Sequence, residues 1–289
     1  MAPLHGDGYP ERHRGKGRAN TMTATPVPEE MIAAARAYEQ LFVPALFTEW
    51  TAWVADAAQI APGDRVLDVA CGTGALTREV LARTGGNGEV TGLDLNPGML
   101  HVAAERTPGV RWKQASAESL PFADASFNAV VSQFGLMFFT DRQQALREMT
   151  RVLTPGGRLA VAVWDSLDDT PAYAAEVALI ERMAGRAAAD ALRAPFVLGD
   201  TRALLQLFES AGIPGATVQT RRGTGRFPSI RVMVGADLRG WLPVMGVVLP
   251  EELVERMLDE AEVVLAPYVR PDGSVEFDSP GHIVSSRPH

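Results

Sequence analysis

The chain has 289 residues, 46% of them hydrophobic, with 35 acidic against 27 basic side chains and a formal charge of −8. That length permits one elaborated domain or two small ones, and the acidic balance excludes a nucleic-acid surface, which needs clustered Lys and Arg to neutralise phosphates. The single cysteine excludes an intramolecular disulfide or a cysteine metal cluster and points to a reducing, cytoplasmic setting, and with no run of about 18 apolar residues no membrane span is expected.

In the first 20 residues Arg12, Arg14, Lys16 and Arg18 stand against Asp7 and Glu11, a net +2, which leaves −10 on the remainder. Rich in Gly, Pro, His and Arg and lacking the apolar stretch of a secretory signal, residues 1–27 read as a disordered basic tail. Met22 stands beside Met1 as a candidate start. The remainder, 28–289, reads as one domain. Leading helices occupy 28–60, a ligand-binding core 61–165, further helices and strands 166–229 and 271–289, and an inserted helical cap 230–270.

Over 28–60, Ile32, Ala35, Leu41, Leu46, Phe47, Trp50 and Val54 recur on one helical face, with a break expected at Pro44. Pro62, Gly63 and Asp64 then turn the chain into an apolar strand, Arg65, Val66, Leu67, Asp68, Val69, that ends in Ala70, Cys71, Gly72, Thr73, Gly74. Gly72 and Gly74 carry no Cβ, so the main chain there can adopt positive φ and be approached closely by a ligand. A second strand over 89–94 ends on Asp94, about 20 residues past the turn, where a carboxylate can take both hydroxyls of a ribose.

Dinucleotides and S-adenosylmethionine both suit such a turn. A dinucleotide fingerprint wants a third glycine where this chain has Thr77, and Asp68 would repel a pyrophosphate but attract an ammonium. A third strand over 110–114 leads to Ser116, Ala117, Glu118, Ser119, Leu120, Pro121 and Phe122. A fourth follows within 124–133, then a helix entering Thr154, Pro155, Gly156, Gly157 and a fifth strand over 158–164.

Taken together, residues 38–165 resemble the class I S-adenosylmethionine-dependent methyltransferases, in the branch similar to ubiquinone and menaquinone C-methyltransferases. The resemblance implies an α/β, Rossmann-like fold: a seven-stranded, mostly parallel sheet with helices on both faces and a helical cap. It also implies that Asp68 orients the methionine amino group, directly or through water, and that Ala70, Gly72, Thr73 and Gly74 lie along the methionine and ribose. Asp94 would hold the ribose hydroxyls, Leu95 and Met99 would line the adenine, and Ala117 with Glu118 would meet its edge. Gln133 and Phe134 would stand beside the transferred methyl. The family's first turn glycine is Ala70 here. The leading helices would close over the cofactor, with Tyr38, Phe42 and Trp50 as lid candidates. No metal is expected.

From the residues alone, Phe134, Met137, Phe138 and Phe139 read as core, and Cys71 as a small turn filler. Beyond the fifth strand, Thr170 and Pro171 start a helix over 172–183, with Thr170 as its N-cap, and Asp200 with Thr201 opens another ending at Gly212. A sixth strand is expected over 217–223 and a last one over 274–277. Between them lies an apolar segment over 230–242 and an amphipathic helix from Pro250 with Leu253, Met257, Ala261 and Val264 on one face. This insertion reads as a cap over the substrate side, or alternatively as the seam of a homodimer.

Methyl transfer can run on alignment alone, so no dedicated catalytic residue is required. If the acceptor is a hydroxyl or an acidic carbon, His282 is a weak candidate base; His101 reads as surface. Arg221, Arg222, Arg226 and Arg231 form the densest basic cluster and read as salt-bridge partners of the acidic excess, or alternatively as the grip on an anionic or polar aromatic acceptor. The sequence thus points to methyl transfer to a carbon or oxygen of a small molecule. The alternatives are a non-catalytic S-adenosylmethionine-binding protein and a nicotinamide-dependent oxidoreductase.

Overall fold

The computed structural model describes residues 26–288, so the tail expected over 1–27 falls outside the described residues except for its last two positions. Seven strands, β1 (Arg65–Val69), β2 (Glu89–Asp94), β3 (Arg111–Gln114), β4 (Phe127–Gln133), β5 (Leu153–Trp164), β6 (Thr217–Phe227) and β7 (Val275–Ser286), form one sheet in the order β3-β2-β1-β4-β5-β7-β6. Only β7 runs against its neighbours, β5 and β6. This is the mostly parallel, Rossmann-like sheet the sequence predicts. Val66, Leu67, Ala129, Val130 and Val131 are fully buried, as expected of central strands covered by helices. The strand order reverses between β1 and β4, which opens a crevice at their carboxyl ends.

The leading segment holds α1 (Glu29–Phe42) and α2 (Thr48–Ala57). Pro44 does not break the path: Val43–Phe47 is a π-helical turn, and the wider loop absorbs the missing N–H and lets the chain continue. Next come α3 (Ala75–Thr84), α4 (Pro97–Arg106) and α5 (Arg142–Arg151). Asn96 Oδ1 accepts from Gly98 N and Met99 N to start α4, and Asp141 Oδ1 accepts from Gln144 N to start α5.

After β5 come α6 (Pro171–Ala184), α7 (Arg186–Arg193) and α8 (Thr201–Ser210), the last capped by Asp200. Thr170 is not a side-chain cap, because its hydroxyl donates to Ser166 O at 3.1 Å. Strands β6 and β7 outrun the expected spans: they pair as a long hairpin from Thr217↔Ser285 to Phe227↔Val275, so each satisfies the other's backbone. Their connection carries α9 (Ile230–Ala236), a π-helical turn Asp237–Trp241, the short α10 (Leu242–Val244) and α11 (Glu251–Val264). The buried face of α11 is Val254, Met257, Leu258 and Ala261, rotated from the expected stripe so that Leu253 and Val264 lie at its margin.

Candidate active site

The turn after β1 has the backbone that its residue types suggest, with one exception. Gly72 and Gly74 stand at φ 55° and 83°, but Ala70 is also held at φ 57° despite its Cβ. Next to it, Asp68 is 1% exposed; its Oδ2 accepts from Thr77 Oγ1 at 2.6 Å, while Oδ1 has no partner. Burial pushes the Asp68 carboxyl up to about 7 against the Thr77 bond, which pulls it down. Asp94 Oδ2 accepts from Gly72 N and Oδ1 from Asn96 N, both at 2.8 Å. Burial raises Asp94 too, and those N–H donors oppose the rise. Cys71 beside them is buried, and burial with the two carboxylates pushes its thiol well up, so it stays protonated.

Helix α1 is fastened onto this turn. Glu39, buried at 7% exposure, accepts from Thr73 Oγ1, from Arg78 Nη2 at 2.9 Å and from Arg106 Nε at 2.7 Å. One carboxylate thus joins α1 to the glycine turn, α3 and α4. Nothing in the sequence distinguished Glu39, since a buried acid inside a helix has no local pattern. Tyr38, one residue earlier, leans over Gly72, and burial followed by the Asp94 and Glu39 charges pushes its phenol up.

Asp68, Ala70, Gly72, Thr73 and Gln133 share a cavity with Tyr38 and Phe47. Gly74 starts α3, with Trp112 packed over it, and Asp94 reaches the turn through Gly72 N. Leu95 is 68% exposed at the rim, and Met99 packs beside Ile32, Ala35 and Val102. Ala117 is buried, whereas Glu118 turns its Oε1 to Thr140 N and Asp141 N, so that the carboxylate anchors the entry to α5.

Gln133 and Phe134 end β4 between two cavities. Gln133 lines the first; its Nε2 donates to Phe47 O at 3.1 Å and its buried Oε1 has no partner. Phe134, at φ 57°, lines the second and lies on Trp164 with ring centroids 3.6 Å apart and planes 8° from parallel.

Nine of the side chains that line this second cavity are aromatic. Tyr38, Phe42 and Phe47 come from the leading helices, Phe134 and Phe138 follow β4, Tyr173 and Phe196 come from α6 and the turn after α7, and Asp237 and Trp241 come from the connection between β6 and β7. Trp241 Nε1 donates to Ala191 O at 2.9 Å, which fastens that connection to α7. Phe134 is therefore cavity wall as well as core, whereas Phe138 is cavity wall and 42% exposed, not core as expected, because the chain turns outward after β4. Met137 is core at 3% exposure. Trp50 is not a lid residue: it is fully buried, edge-on to Phe134 and Trp164. Phe47, one turn earlier, holds the position between the cavities.

His282 lines neither cavity. Its Nε2 faces Gly199 O at 2.8 Å and Asp165 Oδ1 at 3.1 Å, and its Nδ1 faces Thr220 Oγ1 at 2.9 Å, so both ring nitrogens are committed within the β5–β7–β6 edge. His101 is half exposed beside Glu105. The arginine cluster also stands apart. Arg222 pairs with Asp278, Arg226 with Glu276, and Arg231 with Glu255 and Asp259, while Arg221 lies over Trp53. None of them lines the aromatic cavity, so of the two readings the ion-pair one holds and the acceptor grip does not.

A crevice at the strand-order reversal, a positive-φ turn and two acids at the ends of β1 and β2 are the features that a resemblance to the class I S-adenosylmethionine-dependent methyltransferases implies. Residues 66–157 match the family model described as a methyltransferase domain, and this segment is such a domain. The chain is 41% identical over 118 residues to the ubiquinone/menaquinone biosynthesis C-methyltransferase of Legionella pneumophila, covering 39% of this chain and 47% of that protein. The enzyme of the same name from Ectopseudomonas mendocina is 44% identical over 118 residues, covering 39% and 46%. The chain thus spans about half the length of the curated relatives it matches. Among solved structures, the YcgJ protein of Bacillus subtilis shares the fold at TM-score 0.53 and 19% identity over 82% of this chain and 97% of that one. So does a Haemonchus contortus phosphoethanolamine N-methyltransferase, solved with phosphomonomethylethanolamine and S-adenosylhomocysteine, at TM-score 0.56 and 16% identity over 89% and 58%.

Proposed function

We propose that the protein is an S-adenosylmethionine-dependent methyltransferase acting on a carbon or oxygen of a small-molecule acceptor. The observation that carries this reading is the pair of adjoining cavities that share Tyr38 and Phe47, one built from the β1 turn and the other lined mostly by aromatic side chains.

The residues present fit the cofactor. The orphaned, buried Oδ1 of Asp68 wants a cation or donor, which an amino-acid ammonium supplies, and the positive-φ main chain at Gly72, bare of a Cβ, borders the same cavity. Asp94 would hold the ribose hydroxyls while Gly72 N and Asn96 N fix its orientation. Thr73 lines the same cavity, and Leu95, Met99, Ala117 and Glu118 follow β2 and β3 on the side expected for the adenine. Bound there, the cofactor supplies an electrophilic methyl on a sulfonium.

The chain's own contribution is alignment. Gln133 and Phe134 separate the two cavities, and the Phe134–Trp164 stack with Phe47 forms a dry wall at their junction. Holding two reactants in near-attack geometry supplies about 7 to 11 kcal/mol. Residues 230–270 serve as the cap, contributing Asp237 and Trp241 to the acceptor cavity.

Calorimetric titration of S-adenosylmethionine and S-adenosylhomocysteine, with NAD and Asp94→Ala as controls, tests the reading. Micromolar binding of both, lost in the variant, is expected, followed by turnover in an acceptor screen. Binding of NAD instead would establish an oxidoreductase, and cofactor binding without turnover would establish a non-catalytic binding protein.

A further inference from the structure

The aromatic cavity holds a charged side chain that the methyl-transfer reading does not use. Asp237 opens the π-helical turn after α9; it is 2% exposed, lines the cavity, and its Oδ2 has no hydrogen-bond partner. Near it on α6, Glu176 is fully buried with neither carboxylate oxygen bonded. The other fully buried carboxylates among the described residues all have donors: Glu39 has Arg78, Asp68 has Thr77, and Asp165 has Ser166 N and His282. An acid pair buried without a donor is unfavourable unless something else meets it.

Burial pushes both carboxyls upward, and the Asp237 charge pushes Glu176 further, so the free protein keeps proton on the pair near neutral pH. No Arg, Lys or His lines the cavity. Aromatic rings such as those of Trp241 and Phe138 in its wall attract cations and repel anions. Shape and charge therefore select the same class of ligand.

We propose that the acceptor is an arylalkylamine or a similar apolar cation, its ammonium anchored on Asp237 with Glu176 behind it and its body enclosed by the aromatic walls. That this ligand is the methyl acceptor rests on the proposed methyl transfer; that the cavity binds it does not. The ammonium is the anchor, and the atom to be methylated lies toward Phe134. When the cation docks, Asp237 ionises and its proton passes to solvent, so that amine binding releases a proton and binding of a neutral analogue does not.

The test is calorimetry with matched probes, run on the free protein and on protein saturated with S-adenosylhomocysteine. One set is tryptamine, tryptophol and indole-3-propionate; a second set has a naphthalene body. The amine is expected to bind at least about tenfold tighter than the alcohol, and the carboxylate more weakly than either. Asp237→Asn should remove the amine preference while leaving alcohol affinity within about threefold. If that variant does not fold, the readout is the proton released by the parent chain on binding the amine but not the alcohol, measured from the dependence of the binding heat on the buffer; Glu176→Gln, one neutral group for another, should leave the amine preference within about threefold. Amines that bind no tighter than alcohols on both bodies, or not at all, overturn the proposal, as does a preference that survives Asp237→Asn or amine binding that releases no proton. Loss of S-adenosylhomocysteine binding alone would instead sink the methyltransferase reading, because the comparison on free protein does not depend on it.

Discussion

Thr77 Oγ1 donates to Asp68 Oδ2 at 2.6 Å across the glycine turn, and this bond holds the carboxylate with its other oxygen free. The residue that breaks the dinucleotide pattern is therefore the one that orients the acid. Asp68 is raised to about 7 in the folded chain, so its stabilising contribution is complete below about pH 4 and is lost as pH rises through about 7. An ammonium-bearing ligand favours the ionised form. S-adenosylhomocysteine affinity should thus increase with pH up to about 7 and level off above it. In Thr77→Val the levelling point should move upward and affinity at pH 7 should fall by about tenfold. A pH-independent affinity in calorimetry between pH 5.5 and 8.5 would remove Asp68 from the ammonium site.

Ala70 occupies a conformation that glycine adopts without cost. Ala70→Gly relieves the positive φ but frees the unfolded chain, and the balance should favour the folded state by up to about 1 kcal/mol. A thermal melt should show the transition higher by about 2 °C. A lower transition would mean that the Ala70 Cβ contributes packing greater than its strain.

Glu39→Gln takes one charge from a four-element junction and leaves Arg78 and Arg106 facing a neutral amide. A cost of about 2 kcal/mol is expected, toward the lower end for a buried pair because Arg106 is half exposed. The readout is amide exchange: protection should fall over α1 while β1 and β4 keep theirs. Equal loss everywhere would show that Glu39 supports the whole fold rather than the covering helix.

The unpaired acid of the aromatic cavity predicts a stability profile of its own. Because Asp237 is raised by burial, its contribution is full below about pH 4 and is lost as the solution becomes more alkaline. Asp237→Asn escapes that loss, so it should gain on the parent chain as pH rises, on the order of 2 kcal/mol by pH 8. Denaturant midpoints at pH 5 and pH 8 would check this, and a variant with no relative gain would mean the carboxylate is solvated.

The cofactor half was legible because its chemistry is local: the strand, the turn and the acids at Asp68 and Asp94 lie within 30 residues, each with a distinctive backbone or charge demand. The acceptor half was not. Phe47, Phe138, Tyr173, Phe196 and Asp237 come from five separate places in the chain, and an aromatic residue that walls a cavity has the same local pattern as one that fills a core. The arginines left two readings open for the converse reason. They are dense in sequence, but their partners Glu255, Asp259, Glu276 and Asp278 lie up to 56 positions away on α11 and β7. Strand β7 was under-read because Pro280, Gly281 and His282 look like a loop, and only pairing on both edges makes them extended.

The π-helical turn Val43–Phe47 sets the helical phase between everything before it and α2. One residue more than an α-helical turn carries rotates the preceding helix by about 100°. Tyr38, Phe42 and Glu39 therefore reach the site by virtue of the number of residues between them and Trp50, whatever those intervening residues are. Shortening the turn by one residue would leave Trp50 and the sheet in place but swing Glu39 off Thr73 and Tyr38 off Gly72, opening both cavities at once. Chain length in this stretch is thus under tighter constraint than composition, and insertions or deletions there should be far more damaging than substitutions.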